Sequence, residues 1–235
     1  HPSGRLAAKS DGETSLRAEV AGRFIEHPVR IRGTGEERPF NFGREIGGVL
    51  TRNGCNAYDC HGGIKGRAGF KLSFNGLRPA EDYEWIVQGG GFQVLTDEIL
   101  GERIPRVNTG DPGESLILLK PTMQLDHEGG KRLYKDSPQY RILLEWIRAG
   151  APDSDPEAVQ YQIRNLIVHP AESVLLPDQT QKIVVMAELA DGSIEDITDQ
   201  VYFRSNNKDI ARMIAPGIVQ ARIAGEADII IRAVG

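Results

Sequence analysis

The distribution of hydrophobic and polar residues divides this 235-residue chain into three segments. Residues 163–234 hold short apolar runs separated by turns, and the alternation in KIVVMAEL (182–189) predicts strands of an antiparallel sandwich. Residues 3–22 also indicate a strand, a turn and a second strand, and the chain continues into FIEHPVRIRG (24–33). The segment between them has apolar residues at helical spacing, so the pattern predicts a helical part flanked by β parts.

Two helices are predicted in the middle segment. The stretch NFGREIGGVLTRNG (41–54) places apolar residues three and four positions apart behind Asn41, a suitable N-cap. The stretch SPQYRILLEWIRAG (137–150) begins with Ser137 as its N-cap and has a continuous apolar face. Residues 62–121 between them are rich in Gly, Pro and Asp and favour only short elements, so another component must organise this segment.

A pair of glycines at positions 47 and 48 lies inside the first predicted helix. Glycine weakens a helix interior, so its presence there favours close approach by another element. We expect that element to be the face of the final helix that carries Tyr140 or Trp146. The two predicted helices would then cross at the glycine pair.

The two ends of the chain resemble each other. Residues 3–22 align without gaps on residues 216–235, and both copies read as a strand, a turn and a strand. The chain is therefore expected to open on the tail of one β module and to end inside the next. Two alternatives stay open: chance matching of two hairpins, or N-terminal strands that complete the C-terminal sheet within one chain or between chains.

Composition and charge exclude several classes of protein. A formal net charge of -5, with charges mixed along the chain, gives no basic patch of the kind that binds nucleic acid. No apolar run approaches the length of a membrane span, and two cysteines cannot build a disulfide framework for a chain of this size. The acidic pairs Glu81–Asp82 and Asp97–Glu98 lie in polar stretches and are expected to be solvated surface.

Both cysteines fall in the stretch GCNAYDCHGG (54–63), with His61 directly after the second. Two thiols followed by a histidine suit covalent haem, because the thiols can add across the porphyrin vinyl groups while the imidazole binds the iron. The spacing is C-x-x-x-x-C-H rather than the usual C-x-x-C-H. Gly54 before the cluster and Gly62 and Gly63 after it would leave room for the macrocycle. The alternatives are zinc on Cys55, Cys60, His61 and one further ligand, or a plain disulfide.

Several motifs in order resemble a known family. GCNAYDCHGGIKGRAGFKLSFNG, PGESLILLKPT, HEGG and SPQYRILLEWIRAGAP look like the cytochrome-like segment of large planctomycete-type secreted proteins. In that family the segment stands beside immunoglobulin-like modules, which DGSIEDITDQVYFRSNN also resembles. The resemblance covers about residues 38–235 and implies haem c on Cys55 and Cys60, with His61 as the proximal iron ligand.

The second axial ligand is expected from KPTMQLDHEGG (120–130), just before the final helix. His127, followed by a flexible glycine pair, is the first choice, and Met123 is the runner-up. An iron without this ligand would instead suit a haem sensor or a peroxidase. The candidate donors to the haem propionates are Lys71, Arg103, Arg106 and Lys120.

Together these patterns predict an α + all-β multidomain protein. A small, mostly α-helical cytochrome c-like domain (38–152) would precede an antiparallel immunoglobulin-like β-sandwich (160–235), after strands (1–37) from the tail of a similar module. The predicted function is electron transfer by a monohaem c-type cytochrome, with a redox protein or a small donor or acceptor as partner. The expected location is the periplasm, cell surface or medium, within a larger parent protein. The alternative is a non-redox interaction or scaffold module with a zinc or disulfide knuckle.

Overall fold

A computed structural model describes residues 6, 8–35, 40–89, 103–154 and 162–234. The chain forms two compact units, His1–Pro39 and Phe40–Gly235. Of the described residues, 27% lie in strands and 20% in helices. None of the helices in these ranges has the length and apolar character that crossing a membrane requires. The acidic pair Asp97–Glu98 and most of the stretch between the two predicted domains, 153–159, lie outside the described residues.

The first unit contains a β-hairpin. Strand β1 (Gly12–Val20) pairs antiparallel with strand β2 (Arg23–Ile31) along their full length. Ala21 and Gly22 form the loop, and both have positive φ, which matches the twist that a two-residue hairpin connection needs. The side chains of β1 are exposed on both faces.

The helical part of the second unit has four α-helices within the described ranges. They are α1 (Gly47–Arg52), α2 (Pro79–Val87), α3 (Leu116–Leu119) and α4 (Pro138–Arg148). Asn41 Oδ1 accepts a hydrogen bond from the Arg44 amide at 2.8 Å and caps one π-helical turn that leads into α1. Ser137 Oγ accepts from the Tyr140 amide at 3.2 Å and caps α4, so the final predicted helix is confirmed.

Three aromatic side chains join the helices in one apolar core. The ring of Phe42 packs edge-on against Tyr83 of α2, with centroids 5.3 Å apart, and lies 5.5 Å from the Trp146 ring of α4. Trp146 is fully buried, and its indole N–H donates to the Pro152 carbonyl at 2.8 Å. The Tyr83 hydroxyl donates to the Ala151 carbonyl at 3.0 Å. Each aromatic pair adds about 0.5–1.5 kcal/mol beyond its area burial.

The β part of the second unit consists of short antiparallel strands. They are β3 (Ile163–His169), β4 (Thr180–Lys182), β5 (Val184–Leu189), β6 (Ile194–Asp196), β7 (Tyr202–Ser205), β8 (Ala211–Ala215), β9 (Ile218–Ala221) and β10 (Ile229–Arg232). They pair as three small sheets, in the orders β3-β5-β6, β4-β9-β8 and β10-β7. The alternation predicted for KIVVMAEL is confirmed in β5, whose burial alternates residue by residue and places Val185, Ala187 and Leu189 in the core.

The predicted fold class is wrong in both parts. The described residues of the helical part, 40–89 and 103–154, are not mostly helical, because turns rich in Gly, Pro and Asp separate short helices and satisfy the backbone groups there. Residues 162–234 do not form an immunoglobulin-like sandwich. Their strands are only three to seven residues long, and register shifts in the β3–β5 and β8–β9 pairs interrupt the ladders, so several small sheets form instead.

The glycine pair of α1 faces the β part, which corrects the expected contact with the final helix. A Cβ on Gly47 would lie 3.1 Å from Val234 Cγ1, and a Cβ on Gly48 would lie 3.0 Å from the Gln200 carbonyl oxygen. The close approach that the glycines indicate is therefore real, but the approaching element comes from the other end of the chain.

Charged side chains also link the helical part to the β part. Arg44 is 2% exposed, and its Nη1 lies 3.2 Å from Glu195 Oε2. Arg52 Nη1 lies 3.3 Å from Asp199 Oδ1, and the Gln139 side-chain amide donates to the Asp199 carbonyl at 3.3 Å. The β part thus contacts α1 and the start of α4 through these side chains.

Candidate functional site

The stretch from Cys55 to His61 forms a closed turn directly after α1. The Cys55 amide donates to the Leu50 carbonyl at 2.9 Å, which continues the helix by one bond. The Cys60 amide donates to the Ala57 carbonyl at 3.0 Å, and the His61 amide returns to the Cys55 carbonyl at 2.9 Å. Residues 56–59, the spacer between the two cysteines, therefore form a loop whose closure places the His61 backbone next to that of Cys55.

The glycines after His61 serve this turn and not a ligand, which corrects the sequence interpretation. A Cβ on Gly62 would lie 1.9 Å from the Asn56 carbonyl oxygen, and a Cβ on Gly63 would lie 2.5 Å from the Tyr58 carbonyl oxygen. Only glycine permits this approach of two backbone segments. Gly54, by contrast, lines the cleft described below.

The His61 ring is fixed by the backbone in the form that binds a metal. Its Nδ1 lies 3.1 Å from the Phe70 carbonyl oxygen, which can only accept, so Nδ1 carries the hydrogen. Burial is the largest cause that lowers the pKa of His61; the charges of His127 and Arg106 act in the same direction, against hydrogen bonds to the Phe70 and Arg67 carbonyls. At neutral pH the ring is neutral, and its Nε2 offers a lone pair.

His127 presents a second imidazole of the same kind. It lies in the loop before α4, and its Nδ1 is 2.8 Å from the Gly130 carbonyl oxygen. Because the Gly130 carbonyl oxygen can only accept, the Nδ1 of His127 carries the hydrogen, and its Nε2 is the nitrogen available to a ligand. The rings of His61 and His127 are nearly parallel, with an interplanar angle of 21° and centroids 6.3 Å apart.

Both imidazoles and both cysteines line one cleft of about 300 Å³, at the small end of the range for ligand pockets. The apolar part of its lining includes Val49, Leu50, Phe70, Ile117, Leu133 and Leu143. Cys55 and Cys60 are free thiols. Burial, followed by the neighbouring Cys60, raises the pKa of Cys55 to about 12, with Arg132 opposing, so this thiol is protonated at neutral pH.

The rim of the cleft carries basic side chains. Arg106 and Lys120, two of the four predicted propionate donors, line it together with Arg132. Arg106 Nε is buried without a hydrogen-bond partner among the described residues, and its guanidinium lies 5.0 Å from the Phe70 ring centroid. Of the other two candidates, Arg103 donates to Gln88 at 3.5 Å, and the Lys71 ammonium donates to the Gly63 carbonyl at 2.6 Å. Neither belongs to the described lining of the cleft.

Met123, the runner-up for the second axial ligand, lies away from His61. Its side chain is 48% exposed, and it is not among the described residues that line the cleft. Its backbone has a φ of 62° in the turn after α3, where the Met123 amide donates to the Lys120 carbonyl at 2.9 Å. The structure thus brings the ring of His127, and not the side chain of Met123, close to the ring of His61.

The donor set suits a haem better than a free metal ion. Within the described residues no three or more His, Cys, Asp or Glu side chains converge to hold a metal ion. A porphyrin supplies the equatorial ligands of its iron, so two axial imidazoles are sufficient. The Arg106 side chain and the apolar walls of the cleft also match a flat apolar ring that carries carboxylates.

Sequence reasoning missed one buried charge near this site. Asp82, expected to be solvated surface, is 2% exposed, and both its oxygens accept hydrogen bonds from Ser73. Its polar sequence neighbours hid this burial. Only its helical position, one turn before buried Ile86, could have signalled that this side chain faces inward.

Comparison with known proteins returned no match, either to a protein-family model or to a curated protein. The resemblance of residues 38–235 to cytochrome-like segments therefore stays a prediction. Function has to be inferred from the geometry of the cleft.

Proposed function

We propose that the second unit binds one haem c, attached through Cys55 and Cys60, and that the protein transfers electrons outside the cytoplasm. His61 and His127 are the proposed axial ligands of the iron. The observation that carries the proposal is the pair of parallel imidazoles over a cleft that also holds both thiols. A redox protein or a small electron donor or acceptor would be the partner.

The distance between the rings of His61 and His127 supports the binding of one iron by both side chains. A metal–imidazole bond is about 2 Å long. The ring centroids of His61 and His127 are 6.3 Å apart, a separation across which one metal atom could take a bond from each ring. Both Nδ1 atoms donate to backbone carbonyls, which is the usual arrangement behind a ligating histidine and which fixes the ring orientation.

The residues of the cleft have distinct roles in this proposal. The Cys55 and Cys60 thiols would each add across a vinyl group, with the sulfur bonding to one carbon and the thiol hydrogen passing to the other. The apolar lining would exclude water from the faces of the ring, and the Arg106 guanidinium would donate to a propionate. The haem itself supplies the one-electron chemistry.

Two axial ligands favour electron transfer over a sensor or peroxidase function. Those functions need an open coordination position, and in this proposal His127 would fill it. The extracytoplasmic location follows from the proposed attachment of haem c, which takes place there in bacteria.

The visible spectrum tests this function. The protein is produced in a host with haem-attachment machinery, and its spectrum is recorded before and after denaturation and reduction in alkaline pyridine. A c-type pyridine spectrum that survives acid–acetone extraction is expected, together with failure of the native protein to bind carbon monoxide. A colourless protein would overturn the proposal and leave a zinc or disulfide knuckle.

A pair of variants tests the axial ligand. His127→Ala should open the iron to carbon monoxide, because it removes the imidazole opposite His61. Met123→Ala is the matched control, and it should leave the spectrum unchanged because that side chain lies outside the described lining of the cleft. The opposite result would make Met123 the ligand.

A further inference from the structure

Asp82 on α2 has a carboxylate buried in the helical part, and both of its oxygens accept hydrogen bonds from Ser73. Oδ1 accepts from the Ser73 amide, and Oδ2 accepts from the Ser73 hydroxyl at 2.7 Å. The same hydroxyl accepts from the Arg78 amide at 3.0 Å. Charge-assisted hydrogen bonds of this kind are strong, so Asp82 fixes Ser73 in place.

Ser73 ends a short segment, residues 70–73, that is hydrogen-bonded to His61. The Phe70 carbonyl accepts the Nδ1–H of His61 at 3.1 Å, and the Leu72 amide donates to the His61 carbonyl at 2.8 Å. The segment is thus tied to His61 at two points and to Asp82 at a third. A change at Asp82 would therefore reach His61 through the four residues of this segment.

We propose that Asp82 is a positioning residue for His61 and that its protonation is coupled to reduction of the haem. This inference rests on the proposed function. The carboxylate takes up one proton from solvent as one electron arrives from a reductant, and it releases the proton when the electron leaves. A buried negative charge favours the ferric over the ferrous state, because the charges interact in a low dielectric.

The surroundings of Asp82 set the pH range of this coupling. Burial is the largest cause and raises the pKa of Asp82 to about 6. The hydrogen bonds from Ser73 oppose it, Glu81 raises the pKa further, and Lys71 lowers it. Arg78 pairs with Glu81 at 2.8 Å. Because the reduced state binds the proton more tightly, the midpoint potential should fall as pH rises through this range.

The experiment is a potentiometric titration of the haem-loaded protein, followed by its visible spectrum, at several values between about pH 5 and pH 8. The wild-type midpoint potential should fall with rising pH around pH 6 and then level off. Asp82→Asn should remove this dependence, since asparagine can still bond Ser73 but does not titrate. Glu81→Gln is the matched control, because Glu81 precedes Asp82 on α2 and pairs with Arg78; it should keep the dependence.

A second variant covers the case in which Asp82→Asn does not fold. Ser73→Ala removes one hydrogen bond that lowers the pKa of Asp82, so the fall in potential should move to higher pH. A flat wild-type profile, or an unchanged profile in both variants, overturns the inference while the haem spectrum stands. A colourless protein overturns the proposed function and this inference together.

Discussion

Gly129 is the residue that lets the His127 ring fold back over its own loop. A Cβ at this position would lie 2.9 Å from Cε1 of that ring, closer than real Cβ contacts come. The glycine therefore sets the position of the imidazole as much as the hydrogen bond to the Gly130 carbonyl does.

Gly129→Ala should displace His127 without removing it. The expected result in the haem-loaded protein is a shifted Soret band and partial binding of carbon monoxide, because the ring can no longer lie at its present distance from His61. Visible spectroscopy with and without carbon monoxide measures this. Gly113→Ala is the control, since a Cβ there makes only an ordinary contact at 3.7 Å. A spectrum identical to wild type would show that the ring has room to shift freely.

At the residue scale, the sequence singled out the candidate haem-binding side chains but not the backbone groups that orient them. Cys55, Cys60 and His61 could be singled out because a thiol pair followed by an imidazole is rare and chemically specific. The carbonyls of Phe70 and Gly130 could not, because every residue has one and only the folded turns decide which histidine it meets.

At the element scale, the contact between α1 and the β part depends on Gly48. Its Cα hydrogen occupies the place where a Cβ would meet the Gln200 carbonyl oxygen at 3.0 Å, and backbone cannot swing aside as a side chain can. The sequence predicted a close approach here correctly. It predicted the wrong partner, because about 150 residues separate Gly48 from Gln200 and spacing carries no information over that distance.

Gly48→Ala should lower the free energy of unfolding by about 1–2 kcal/mol. Overpacking costs about 1–3 kcal/mol, and up to about 1 kcal/mol is returned by the better helix propensity of alanine. Urea denaturation of the second unit measures the loss, with Gly113→Ala again as the matched substitution. A stability equal to or above wild type would contradict the packing described for α1.

At the scale of the whole molecule, the second unit has hydrophobic cores of its own. The helical core and the β core of the second unit are built from residues 40 onward. The first unit holds a two-stranded ribbon, an arrangement that is marginal in water by itself.

Deleting residues 1–39 should therefore leave the melting temperature and the visible spectrum of the second unit unchanged. Differential scanning calorimetry of the shortened and full chains measures the first, and absorbance measures the second. A clearly lower melting temperature in the shortened chain would show that the hairpin supports the rest of the protein.

The fold class itself was beyond what the sequence could predict. Helix α4 was found because a cap, an apolar face and a terminator agree over one continuous stretch. The chain from 53 to 72 has no such period, and its course depends on turns and on glycine contacts between segments that periodicity does not reveal. In the β part the strands were visible, but their division into three sheets was not, because pairing is a long-range property.

The buried indole of Trp146 gives the protein an optical reporter of its own. Trp146 belongs to the same core as Leu143, which lines the cleft, and its N–H is held by Pro152. A tetrapyrrole in the cleft absorbs at the wavelengths where tryptophan emits, so cofactor loading would quench this fluorescence by energy transfer. Trp85 is only half-buried, so a water-soluble quencher such as iodide would separate the two emissions. Occupancy of the cleft and opening of the core could then be followed separately in one unlabelled sample.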